Sequence, residues 1–125
     1  MAKRIAIVND EPDFIEMVSL LLEGEGYEVR ACTTGDEALP LIREWRPELV
    51  LLDIRMEGLN GWDTLTLMQQ DPATHDVRVL VTSGAVEEVS AAKGWLRAQG
   101  HDYIALPFDV DEFVAKVKQM VGEPQ

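Results

Sequence analysis

Leu49-Val50-Leu51-Leu52-Asp53 is an apolar run closed by a single carboxylate. Four consecutive aliphatic residues without polar alternation describe a strand covered on both faces, as in a parallel sheet. The same pattern recurs at Ile5-Ala6-Ile7-Val8, closed by Asn9-Asp10-Glu11, and at Val79-Leu80-Val81, closed by Thr82-Ser83-Gly84. Glu28-Val29-Arg30-Ala31 alternates instead, which places it near an edge with one face wet. Tyr103-Ile104-Ala105 is short, and its brevity also suits an edge.

Helical patterns fill the gaps. Phe14 to Glu23 carries Phe14, Val18, Leu21 and Leu22 on one side, after Pro12 and before Gly24 and Gly26. Thr34-Gly35-Asp36-Glu37 has the capping-box spacing, and Pro40 inside the following helix is expected to remove a hydrogen bond and kink it. Trp62 to Gln70 and Val86 to Gln99 read as the third and fourth helices. A last helix after Asp109 shows Val110, Phe113, Val114, Val117 and Val121 on one stripe. Strands alternating with helices at about 24 residues per unit suit right-handed βαβ crossovers, with a parallel sheet and helices on both faces.

Composition narrows the function classes. The 125 residues suffice for one domain and are too few for two. They read as a single domain over 1–125 with its core between about 4 and 121. An apolar share of 46% argues for a real core, and 23 Asp+Glu against 11 Lys+Arg give a formal charge of −12. Nucleic acid and anionic membrane surfaces would repel such a chain. Cys32 alone excludes an internal disulfide and a structural zinc site. Lys3 and Arg4 precede only four apolar residues, and no run approaches the ~20 needed to cross a bilayer. A reducing, cytoplasmic compartment is expected.

In an open parallel sheet, ligands bind beyond the carboxyl ends of the strands. Here the first and third strands both deliver acids to that rim: Asp10 and Glu11, and Asp53. Carboxylates a few ångströms apart repel unless a cation sits between them, which suggests a hard, oxygen-preferring ion such as Mg²⁺. The alternative is that Asp10 and Glu11 only favour a helix start through its dipole. Asp53 has no helix start beside it.

Three segments together resemble the receiver domain of two-component response regulators. They are Ile7 to Pro12, Leu51 to Met56 with Gly61 beyond, and Asp102-Tyr103 followed by Pro107-Phe108. The resemblance covers nearly the whole chain. It implies a flavodoxin-like (βα)5 three-layer α/β sandwich with strand order 2-1-3-4-5. It further implies that Asp53 accepts a phosphoryl group from a histidine kinase or phosphotransfer protein. Mg²⁺ would be held by Asp10, Asp53 and the backbone carbonyl of Arg55, with Asn9 contributing through a metal-bound water. A hydroxyl at the end of the fourth strand would bond the phosphoryl oxygens, and aligning Val79 to Val81 favours Ser83 over Thr82. Tyr103 matches the family's rotating aromatic switch residue.

Three positions depart from the family pattern. Asn9 stands where an acid is usual and brings no charge. Glu57 replaces a proline. Leu106 stands where most receivers carry a lysine whose ammonium pairs with the phosphoryl group. A hydrogen bond to a charged partner is worth ~1.5–3 kcal/mol, so its loss would cost roughly ten- to a hundredfold.

The resemblance implies signalling to a downstream partner, or to a second copy, through the fourth helix, fifth strand and fifth helix. On that face Gly94 weakens the helix or makes room for Trp95. Val89, Ala92 and Leu96 face the sheet, leaving Trp95 at the margin. Trp45 is expected to cap the core at the second helix, and Trp62 to lie within it. His75 and His101 read as ordinary loop residues.

Two functional readings remain open, neither of them an enzyme. One is a phosphoryl-accepting receiver, favoured by Asp10, Asp53 and Ser83. The other is a pseudo-receiver that signals by binding alone, favoured by Asn9 and Leu106. A haloacid dehalogenase-type phosphatase would need an acid where Arg55 stands. A flavodoxin would need a phosphate-cradling loop where Asp10-Glu11-Pro12 would repel the phosphate.

Overall fold

The computed structural model of the chain describes residues 3–55, 60–84 and 86–121, with the backbone alone at 86–90. Five strands and five helices alternate. They are β1 (Arg4–Val8), α1 (Pro12–Gly24), β2 (Glu28–Cys32), α2 (Gly35–Trp45), β3 (Leu49–Asp53), α3 (Gly61–Gln70), β4 (Arg78–Ser83), α4 (Val86–Ala98), β5 (Asp102–Ala105) and α5 (Val110–Val121). The sheet order is β2-β1-β3-β4-β5 and every pairing is parallel. This is the flavodoxin-like order.

The aliphatic runs explain the layers. Successive strand residues point to opposite faces, so a run apolar at every position feeds two cores. Ala6, Val8, Val50, Leu52, Val79 and Val81 pack on one side with Ala38 and Ile42 of α2, Leu65 and Met68 of α3, and Leu96 of α4. Ile5, Ile7, Leu49, Leu51 and Leu80 pack on the other with Val18 and Leu22 of α1, and Phe113 and Val117 of α5. Each Val, Leu, Ile, Phe or Met among them, fully buried, contributes about 1.5–3 kcal/mol. β2 alternates because it is an edge: Glu28, Arg30 and Ala31 are exposed, while Val29 and Cys32 are half-buried.

Local signals set the helix ends. Thr34 caps α2, its Oγ1 accepting from the Glu37 N–H at 3.3 Å and donating to Glu37 Oε1 at 3.0 Å. α2 runs on through Pro40, which is exposed, and stops where Arg46 turns left-handed at φ 54°. Asn60 caps α3 by accepting from the Asp63 N–H at 2.9 Å. α1 begins at Pro12, earlier than the apolar period suggests, because proline lacks the N–H that a first-turn residue leaves unpaired.

Two apolar readings need correction. Val110 is 48% exposed: it is the first residue of α5 and lines the wall of an open apolar cavity, so the buried stripe starts at Phe113. Trp62 is half-buried against the core rather than inside it. Trp45 is buried, with the Arg4 and Arg30 guanidinium groups 5.5 and 5.1 Å from its ring centroid. Leu96 is buried, and Ala92 packs partly buried against the same core. Val89, like Glu57, lies outside the residues whose side chains are described. Among the described residues no helix is long and apolar enough to cross a membrane.

Candidate functional site

The sheet register brings distant residues to one rim. Val8 pairs with Leu52, Asp53 with Thr82, and Ser83 with Ala105. Asn9, Asp53, Ser83 and Leu106 therefore follow one another across adjacent strand ends. They border a cavity of about 560 Å³, whose wall also includes Glu11, Phe14, Arg55 and Gly84.

Each side chain has a definite local role. Asn9 is 3% exposed, and its Oδ1 accepts from the Glu11 N–H at 2.9 Å, which shapes the turn into α1. An amide oxygen has a second lone pair, so Asn9 keeps acceptor capacity for a water. Asp53 is half-buried and accepts from the Arg55 N–H at 3.3 Å. Burial pushes its carboxyl pKa up to about 6; the charges of Asp10 and Glu11 push the same way, and the Arg55 N–H opposes them. Ser83 is 1% exposed and lines the cavity, and its carbonyl accepts from the Leu106 N–H at 2.9 Å. Thr82 is as deeply buried.

Tyr103 stands elsewhere. It packs partly buried beside the core of α2, α3 and α4, with Arg97 and Lys116 each 6.0 Å from its ring centroid. Asp102 ties these cations together, at 3.3 Å from Arg97 Nε and 3.2 Å from Lys116 Nζ. Burial opposes ionisation of Asp102, but the Tyr103 N–H and the two cations outweigh it and hold its carboxyl below the usual range.

The donor set fits a hard cation of modest demand. Among the described residues no three His, Cys, Asp or Glu side chains gather as a metal cage. The carboxylates that border the cavity are those of Asp53 and Glu11; Asp10 is not part of its wall, although its charge acts on Asp53. Their donors are oxygens, and Mg²⁺ characteristically binds one or two carboxylates while keeping several waters. The mutual repulsion felt at Asp53 is what such an ion relieves.

Two features were not anticipated from the chain alone. A second, apolar cavity of about 440 Å³ shares Phe14 and Leu106 with the first and adds Met17, Pro107, Phe108 and Val110. Met17 lies one helical turn after Phe14, a readable signal; the contribution from the β5–α5 connection has none. His101 is buried and its Nδ1 accepts from the Val79 N–H at 3.0 Å, so it is part of the β4–β5 edge and not a free loop residue.

Comparison with known proteins agrees with this architecture. Residues 5–118 match the response regulator receiver domain family. The DNA-binding response regulator MtrA of Mycolicibacterium smegmatis is 35% identical over 118 residues, 94% of this chain and 50% of that protein. The phosphate regulon regulatory protein PhoB of Klebsiella pneumoniae is 33% identical over 121 residues, 97% of this chain and 52% of that protein. The chain thus spans about half the length of the curated relatives it matches. A putative response regulator from Chloroflexus aurantiacus superposes with a TM-score of 0.85 at 30% identity, covering 98% of this chain and 100% of that one. The receiver domain of the Pseudomonas aeruginosa sensor histidine kinase PA1611, described with a magnesium ion in its active-site cleft, shares the fold at a TM-score of 0.84 and 20% identity, covering 98% of this chain and 100% of that one. Fold, strand-end chemistry and sequence similarity agree, and the chain belongs to the response regulator receiver domain family.

Proposed function

We propose that Asp53 accepts a phosphoryl group from a phosphohistidine on a histidine kinase or phosphotransfer protein, and that the chain signals in the phosphorylated state. The observation that carries this reading is the position of Asp53. It closes a buried strand yet opens into a cavity it shares with Ser83 and Glu11.

In the reaction an Asp53 oxygen bonds to phosphorus as the phosphorus–nitrogen bond breaks, and the imidazole nitrogen keeps the bonding electron pair. The product is an acyl phosphate. Burial raises the Asp53 pKa to about 6, which still leaves the carboxyl largely ionised, the form that attacks, at neutral pH. The Ser83 hydroxyl donates to a phosphoryl oxygen. Asn9 holds the β1–α1 turn that carries Asp10 and Glu11. When bound at Asp10, Asp53 and the Arg55 carbonyl, Mg²⁺ supplies charge neutralisation. The Leu106 side chain offers no donor.

Output passes through α4, β5 and α5. Trp95 is 46% exposed there, beside the Arg97–Asp102–Lys116 network that flanks Tyr103. A half-exposed tryptophan next to charges suits contact with a protein partner or a second copy. The net charge of −12 argues against nucleic acid as a direct ligand of these residues, and the setting proposed is cytoplasmic.

Incubation with Mg²⁺ and acetyl phosphate, read by intact mass, tests the reading. One added phosphoryl group is expected on the native chain and none on Asp53→Asn. Absence of an adduct with both acetyl phosphate and a phosphohistidine donor would replace the proposal with the binding-only reading.

A further inference from the structure

Accepting a phosphoryl group makes the charge balance of the cleft worse. A carboxylate with one negative charge becomes an acyl phosphate, and a phosphoryl group carries about −1.5 to −2 at neutral pH. Glu11 lines the same cavity, and Asp10 acts electrostatically on the same carboxyl. Leu106 contributes only hydrocarbon. The segments forming the rim are poor in cations: no Lys or Arg occurs in residues 5–29, 56–77, 79–92 or 98–115. Among the described residues lining the cavity, Arg55 is the one that bears a positive charge.

We infer that the guanidinium of Arg55 is the phosphoryl-binding cation of this cleft, taking over the role that Leu106 cannot perform. The inference rests on the proposed acceptor role of Asp53. The chain turns directly after β3, and the Arg55 N–H reaches back to Asp53 Oδ1 at 3.3 Å, which holds residue 55 at the mouth beside the acceptor. Its side chain is exposed and forms part of the cavity wall. A guanidinium presents planar paired donors that match two phosphoryl oxygens. This role belongs to the side chain and is separate from that of the Arg55 carbonyl, which any residue would supply.

The experiment measures the rate of adduct formation with acetyl phosphate and Mg²⁺ for the native chain, Arg55→Ala, Arg55→Lys, Leu106→Lys and the double variant Arg55→Ala/Leu106→Lys. Affinity for beryllofluoride, a phosphoryl mimic, provides a readout independent of turnover. Arg55→Ala is expected to slow adduct formation at least about tenfold and weaken beryllofluoride binding by a similar factor. Arg55→Lys retains part of both, because it keeps the charge and loses the fork. Adding Leu106→Lys to Arg55→Ala restores most of the loss. Denaturant midpoints confirm folding, and Arg55→Gln replaces Arg55→Ala if the latter folds poorly. Native rate and beryllofluoride affinity in Arg55→Ala would overturn the inference and leave Asp53 as acceptor. A loss in Arg55→Ala that Leu106→Lys does not recover would also overturn it, since the side chain would then be acting structurally. Neither adduct nor beryllofluoride binding in the native chain would remove the acceptor reading, and this inference with it.

Discussion

The Gly61 N–H donates to the Ile54 carbonyl at 3.0 Å, and a β-carbon at Gly61 would lie 2.6 Å from the Ile54 Cα. The same β-carbon would come within 2.3 Å of the Asp53 carbonyl oxygen. The start of α3 is therefore pressed directly onto the backbone that carries the acceptor. Backbone atoms give way far less readily than a flexible side-chain end.

Gly61→Ala is accordingly expected to destabilise the fold by about 1–3 kcal/mol, the range for overpacking a close contact. It should also slow adduct formation at Asp53. Urea unfolding and intact mass measure the two effects; an unchanged midpoint would show that the contact relaxes freely.

Asp53 gives a pH-dependent penalty. Its carboxyl ionises near pH 6 in the folded chain against 3.8 as the ordinary value, so the folded state binds the extra proton between these values. Stability then falls as pH rises through that window, and the full penalty persists above it. Asp53→Asn should gain about 1 kcal/mol at pH 7.5, after allowance for screening of a half-exposed group, and nothing near pH 4. An equal gain at both pH values would place the effect elsewhere than in charge.

His101 acts in the opposite sense. Only a neutral ring can accept the Val79 N–H at Nδ1, and burial lowers the pKa below the ordinary 6.5. The contribution is present above that value and is lost as pH falls through the folded-state pKa. His101→Ala should cost about 1–3 kcal/mol at pH 7.5 by leaving a buried amide unpaired, and it should flatten the acid side of the stability profile. Urea midpoints at pH 7.5 and 5 separate the two effects.

Magnesium should raise the thermal midpoint of the native chain at pH 7.5, because binding to the folded state alone stabilises it by mass action. Asp10→Ala should abolish most of that rise. Chelation should return the native chain to its metal-free midpoint. A rise unchanged in Asp10→Ala would exclude this carboxylate as a ligand.

Much of the fold was legible in single segments. Ile5 to Val8 and Leu49 to Leu52 are apolar at every position, and only a strand with a core on each side accommodates that. Thr34 and Glu37 announced the start of α2 because capping is a contact within one turn. Val110 misled because the helical period continues to the first residue of α5, whereas burial depends on what packs against that first turn, and Val110 borders an open cavity. The resemblance groups Tyr103 with Ser83, although Ser83 closes β4 and Tyr103 stands early in β5, paired with Val81. The structure separates them, one lining the cavity and the other packing beside α4 and α5.

The chain by itself determined which residues lie between layers and which acids end up beyond the strands, since hydrophobic period and strand-end position are local properties. Tertiary structure alone decided that Phe14 and Leu106 border the same cavity as Asp53, and that His101 serves Val79. Those pairings join segments remote in sequence, and their meeting follows from sheet order, register and the packing of α1 and α5 against one face.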